Sequence, residues 1–272
     1  MTTPGTSTSA SSKSPAAEAG SPSTEARFHY VLRLADTSLV LGQRLGEWVG
    51  HAPALEEDLA LANIALDLIG QARLLLTYAS ELEGKGRDED ALAFLRDAPE
   101  FCNVSLVEQP NGDFGQTLVR QFLIDAWQLQ LYEALSGSSD ARLAEIAAKA
   151  VKETRYHLRF SSGWLVRLGD GTAESHARAQ QAVDALWRFT EELLTPDALD
   201  EEMAAAGIGP SLAAIRPRWE ERVAAVLQEA TLKRPAAARH PWHGKRGVHT
   251  EHLGHMLAEM QHLPRTFPGV TW

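Results

Sequence analysis

Four stretches of the chain carry acidic side chains where helical periodicity puts the core. Gln43 and Glu47, Asp67 and Gln71, Gln121 and Asp125, and Glu153 and His157 are each four residues apart. Side chains at that spacing share one helix face. Carboxylates on four bundle helices, with imidazoles on two, form the ligand set of a carboxylate-bridged di-metal site. That set takes one carboxylate from each of two helices and a Glu-x-x-His pair from each of the others. Glu47 and Asp125 meet the first requirement. The second fails, because Gly70 stands three residues after Asp67 and Tyr156 three after Glu153. His157 is displaced by one position, the second helix has no histidine, and Asp67 is one methylene shorter than glutamate. The expectation is a vestigial site of Glu47, Asp67, Asp125, Glu153 and His157. It holds no metal and forms a buried polar network with Gln43, Arg44 and Gln71. The alternative is an active di-metal enzyme built on an unusual ligand set from the same five residues.

The elements that position these groups read as helices. Tyr30, Leu34, Leu41, Leu45 and Trp48 make one stripe of a 3.6-residue repeat. A second helix follows Pro53, opens with Glu56, Glu57 and Asp58 at the positive end of its dipole, and stops before Gly84. A third spans Gln116 to Leu135, and a fourth starts at the N-cap Asp140 and ends before Gly169. Two more cover Ala173–Leu194 and Leu212–Leu232, with Ser211 at an N-cap position and Pro217 in the first two turns. Residues 59–69 have only Asn63 and Asp67 as polar members, which predicts a central helix covered on most sides. No alternating run suggests a strand, so the fold class is all-α. Of the first 26 residues, 22 are Ser, Thr, Ala, Gly or Pro, which predicts a disordered low-complexity tail over 1–27. A single helical domain over 28–272 follows.

Other chemistries find little support. Among 272 residues there is one cysteine, Cys102, so no internal disulfide or cysteine metal site forms, and the cytoplasm is the expected compartment. Lysine and arginine number 26 against 36 acidic residues, a net charge of −10 that argues against nucleic acid or an anionic membrane as partner. No uninterrupted apolar stretch approaches the ~20 residues of a membrane span. No P-loop, G-x-G-x-x-G or G-x-S-x-G occurs. Six of the ten histidines fall after residue 239. Pro241, Gly244 and Gly247 interrupt them, so this stretch reads as a loop and short helix packing across the bundle or on a partner. The seven tryptophans read as core or interface residues.

The runs R-L-G-E-W (44–48), L-A-N-I-A-L-D-L-I-G-Q-A-R (61–73), L-V-E-Q-P-N-G-D-F (106–114), K-E-T-R-Y-H-L-R-F (152–160), L-W-R-F-T (186–190) and G-V-H-T-E-H-L-G (247–254) stand in order along the chain. They closely resemble the C-subunit family of bacterial ring-1,2-phenylacetyl-CoA epoxidase, from about residue 29 to Trp272. The resemblance implies a ferritin-like helical bundle with additional C-terminal helices and an extended tail. It also implies a non-catalytic structural subunit of a multicomponent oxygenase that epoxidises the aromatic ring of phenylacetyl-CoA during aerobic phenylacetate degradation. No cofactor is expected in this chain. The di-iron centre belongs to the catalytic A subunit, while FAD and iron–sulfur belong to a reductase that takes electrons from NADPH. Both are expected partners, with phenylacetyl-CoA at the subunit boundary. The segment containing Glu100, Phe101, Cys102 and Asn103 is similar to a family segment lying against the CoA thioester. Phe101 and Asn103 match that pattern, whereas Glu100 and Cys102 depart from it. Glu201, Glu202 and Met203 form a second candidate, where an acidic pair beside CoA phosphates requires backbone contacts. A stand-alone CoA-thioester-binding module is the remaining alternative.

Overall fold

The computed structural model describes Met1, residues 22–236 and residues 242–270. Most of the expected tail over 1–27, together with His240 and Trp272, therefore lies outside the described residues. The first helix, α1 (Thr24–Gly46), begins ahead of the expected boundary at 28 because Ser23 Oγ accepts the Ala26 N–H at 3.0 Å. It pairs antiparallel with α2 (Leu55–Glu83): Arg27 reaches Tyr78 at one end, and Gly50 N–H reaches Asp58 at the other. A long crossover containing the short α3 (Glu89–Phe94) leads to α4 (Phe114–Leu135). That helix forms a second antiparallel hairpin with α5 (Ala141–Gly169). The Asp140 carboxylate caps α5 by accepting Leu143 N–H, as the sequence predicts. Among the described residues no strand occurs, only an isolated antiparallel bridge between His243 and Val248.

The remaining helices cover one side of this bundle. The helix expected over 173–194 divides into α6 (Ala173–Leu186), a 3₁₀ turn over Trp187–Phe189 and α7 (Thr190–Leu194). The tighter turn sends both aromatics inward, Trp187 against Trp219 and Phe189 against Trp242. Then follow α8 (Ala198–Ala205), α9 (Leu212–Glu229), α10 (Glu251–Met260) and α11 (His262–Thr266). Ser211 precedes α9 without a side-chain cap bond, and Pro217 sits within the first two turns. That helix stops at Glu229 because Thr231 takes a left-handed φ of 56°, and Leu232 N–H closes onto Leu227 at 2.8 Å.

One expectation needs correction. The helix α2 is not covered on most sides: Leu55, Leu59 and Leu66 are 69%, 57% and 65% exposed, and Asn63 is exposed beside them. It packs on α1 and α5 only with its inner face, and no described element covers the outer one. By length and composition α2 alone among the described helices is apolar enough to cross a membrane. The fully covered helix is α4, which packs on α5, α6 and α9 and meets α1 at the Ser38–Tyr132 hydrogen bond, with residues 117–132 all buried.

Candidate functional site

The inner face of α5 presents Glu153, His157 and Ser161, each one turn from the next. Each meets a polar group on a facing helix. Gln71 of α2 donates to Glu153 at 2.9 Å, His157 Nε2 lies 3.0 Å from Asp67, and Ser161 donates to Asp125 of α4 at 2.7 Å. Gln121 donates to the other Asp125 oxygen at 2.7 Å. The result is a polar ladder in which the candidate ligands are spent on protein partners. Among the described residues no group of three or more His, Cys, Asp or Glu is arranged to hold a metal.

Electrostatics shape the ladder further. Burial pushes the Asp125 carboxyl up to about 8, against the opposing pull of Ser161 and Gln121. A protonated Asp125 needs an acceptor, and Gln121 Oε1, otherwise without a partner, supplies it when the amide is turned. Burial lowers the His157 pKa despite Asp67 and Glu153, so the ring is neutral and donates from Nε2 to Asp67. Its Nδ1 finds no protein partner. The fifth expected member, Glu47, does not join. It stands just past the end of α1, exposed, and binds Arg44 at 2.8 Å and Asn111 at 2.9 Å. It is the C-cap of α1, its backbone still αR and its N–H on the Gln43 carbonyl, at the exposed end of the helix.

A second region forms where the crossover meets the C-terminal segment. Asp36, fully buried on α1, binds the guanidinium of Arg96 and accepts Cys102 N–H at 2.9 Å. Arg96 in turn lies over the Phe101 ring, 4.1 Å from its centroid. Burial, and then Asp36, push the Cys102 thiol up to about 11, which leaves it protonated and a poor nucleophile. Beside it opens a cleft of about 550 Å³ lined by His29, Arg33, Glu100, Cys102, Leu199, Lys245 and Arg246 among others. Most of its cations are already paired. Arg33 grips Asp197 at 2.7 Å, and Lys245 binds Asp200 at 2.6 Å.

The structure separates the expected substrate residues. Glu100 and Cys102 line the cleft, whereas Phe101, Asn103 and Met203 are fully buried. Glu201 and Glu202 are exposed on α8, which reaches the cleft through Leu199 instead. The sequence reading missed Arg33, Lys245 and Arg246. The Lys-Arg pair between Gly244 and Gly247 was the available signal, a basic turn in an acidic chain. Among the described residues the C-terminal histidines do not converge: His249 is buried against Glu108, while His255 is exposed.

The family model described as "Phenylacetic acid catabolic protein" matches residues 7–272. The C subunit of the 1,2-phenylacetyl-CoA epoxidase of Escherichia coli (strain K12) is 57% identical over 243 residues, covering 89% of this chain and 98% of that protein. With its two long hairpins and a match spanning nearly its whole length, the chain belongs to the phenylacetic acid catabolic protein family and has its ferritin-like helical fold.

Proposed function

We propose that this chain is a non-catalytic structural subunit of a phenylacetyl-CoA epoxidase complex acting in phenylacetate catabolism. The mutual pairing of Asp67, Asp125, Glu153 and His157 with bundle partners carries this reading. A carboxylate held by Ser161 and Gln121, and protonated near neutral pH, is a poor metal ligand. The uncovered α2 stripe of Leu55, Leu59, Leu66 and Ile69 supports a large apolar partner, and the catalytic di-iron A subunit is the occupant. In this reading the di-iron centre lies in that partner. FAD, iron–sulfur and NADPH act through the reductase, and the complex works in the cytoplasm. Phenylacetyl-CoA sits at the subunit boundary, where the cleft beside Glu100 and Cys102 is the entry surface on this chain.

The test is iron content per chain after anaerobic Fe(II) loading and desalting of tag-free protein. Near-zero iron is expected. Two irons per chain would overturn the reading and make Asp67, Asp125, Glu153 and His157 ligands.

A further inference from the structure

Two segments far apart in sequence meet at His249. The C-terminal strap, residues 242–250, lies flush on the crossover segment 99–105. A Cβ on Gly244 would fall 2.4 Å from the Asn103 carbonyl oxygen, and one on Gly247, whose φ is +77°, would fall 2.3 Å from that of Pro99. Only glycine permits such an approach. The strap is then clipped at its end. His249 Nε2 lies 2.8 Å from the Phe101 carbonyl oxygen, and Nδ1 lies 2.8 Å from Glu108 Oε2. Both partners are out of water, the His249 side chain 5% exposed and that of Glu108 0%.

The hydrogen-bond chemistry decides the charge. A carbonyl oxygen only accepts, so Nε2 carries a hydrogen. The Glu108 carboxyl also accepts from Thr250 N–H at 2.6 Å and from Asn103 Nδ2 at 3.0 Å. Both of these contacts use the Glu108 carboxyl as an acceptor. The Nδ1 position must then donate as well, which makes the ring an imidazolium. A neutral ring would instead turn the Nδ1 lone pair onto a buried carboxylate.

The surrounding charges come from every neighbouring element. Glu108 belongs to the crossover. Glu192 of α7 accepts N–H groups from both Ser105 and Lys245, Arg44 of α1 donates to the Glu108 and His252 carbonyls, and Lys245 belongs to the strap itself. Burial lowers the His249 pKa, but the Glu108 hydrogen bond and charge, the Phe101 carbonyl and Glu192 outweigh it, so the net shift is upward.

We propose that His249 is a protonation latch: as the imidazolium it holds the strap against residues 99–105, and its deprotonation frees the strap while the bundle stays folded. The contribution is complete below the ordinary imidazole value of about 6.5 and is lost as pH rises through the higher folded pKa. Because Lys245 and Arg246 line the cleft, release moves one of its walls. The inference stands independently of what the cleft binds.

Two measurements on the full chain test it. Histidine NMR titration should place the His249 pKa above about 6.5, and Glu108→Gln should return it to or below that value. Hydrogen exchange of the strap, corrected for intrinsic rates, should be flat below about pH 6.5, lose protection by about tenfold per pH unit from there to the folded His249 pKa, and level off above it. Protection of α4 should have the same pH dependence in the wild type and in His249→Gln. In His249→Gln the strap should be less protected and insensitive to pH. A wild-type His249 pKa at or below the ordinary value would overturn the latch. So would strap protection with the same pH dependence in the wild type and His249→Gln.

Discussion

The helices α2 and α4 have nearly the same apolar character and opposite fates. In α4, Thr117 to Tyr132 is buried throughout, because α5, α6 and α9 pack on it and Tyr132 meets Ser38 of α1. Even its charged members are enclosed. Arg120 donates to the Gln109 carbonyl and to Asn111, and burial, followed by the nearby Arg44, lowers its pKa to about 9. By contrast, α2 has partners only on its inner side, so Leu55, Leu59 and Leu66 face outward. An apolar helix needs cover, and its composition does not say who provides it. For α4 this chain does so; for α2 no described element of this chain covers the outer face.

The comparison can be broken most directly in α4. Phe122→Ala should cost about 3–5 kcal/mol in denaturant unfolding, since the ring is fully buried and its loss leaves a cavity. A cost near zero would mean that α4 is not the central helix. The next effect belongs to Asp125. With a folded pKa raised to about 8, its stabilising contribution is complete below the unfolded value of about 3.9 and is lost as pH rises through the folded one. Asp125→Asn, with no titration, should therefore gain on the wild type progressively from about pH 4 to about pH 8, by roughly 5 kcal/mol at most. A constant difference across that range would show that the carboxyl is ionised throughout. The smallest stability effect lies on α2. Leu66→Ser should change unfolding by only about 0.5 kcal/mol, yet weaken binding to the catalytic partner by about tenfold or more in calorimetry. Unchanged affinity would mean that the α2 stripe is not the docking face.

Much of the fold was legible because it depends on local rules. The spans of α2, α4 and α5 followed from the 3.6-residue repeat and from breakers such as Gly84. Asp140 was readable as a cap because its carboxylate serves an N–H three residues away. The incomplete ligand set was readable too, since Glu-x-x-His needs only a spacing of three to be checked. The ladder was half legible: periodicity put Asp67 with Gln71 and Glu153 with His157, while its cross-helix pairings lay beyond local rules. The departure of Glu47 was not readable, because it follows from where α1 gives way to a turn and from Asn111 arriving there.

The chain order thus settled which side chains share a helix face, a property of φ and ψ repeated along a few turns. Tertiary packing settled which faces meet. It left α2 half bare, split α6 from α7 around two aromatics, and brought His249 to Glu108 across 141 residues. Contacts of that range depend on how separate elements fill space against one another, and no periodicity within one element encodes the identity of its neighbour.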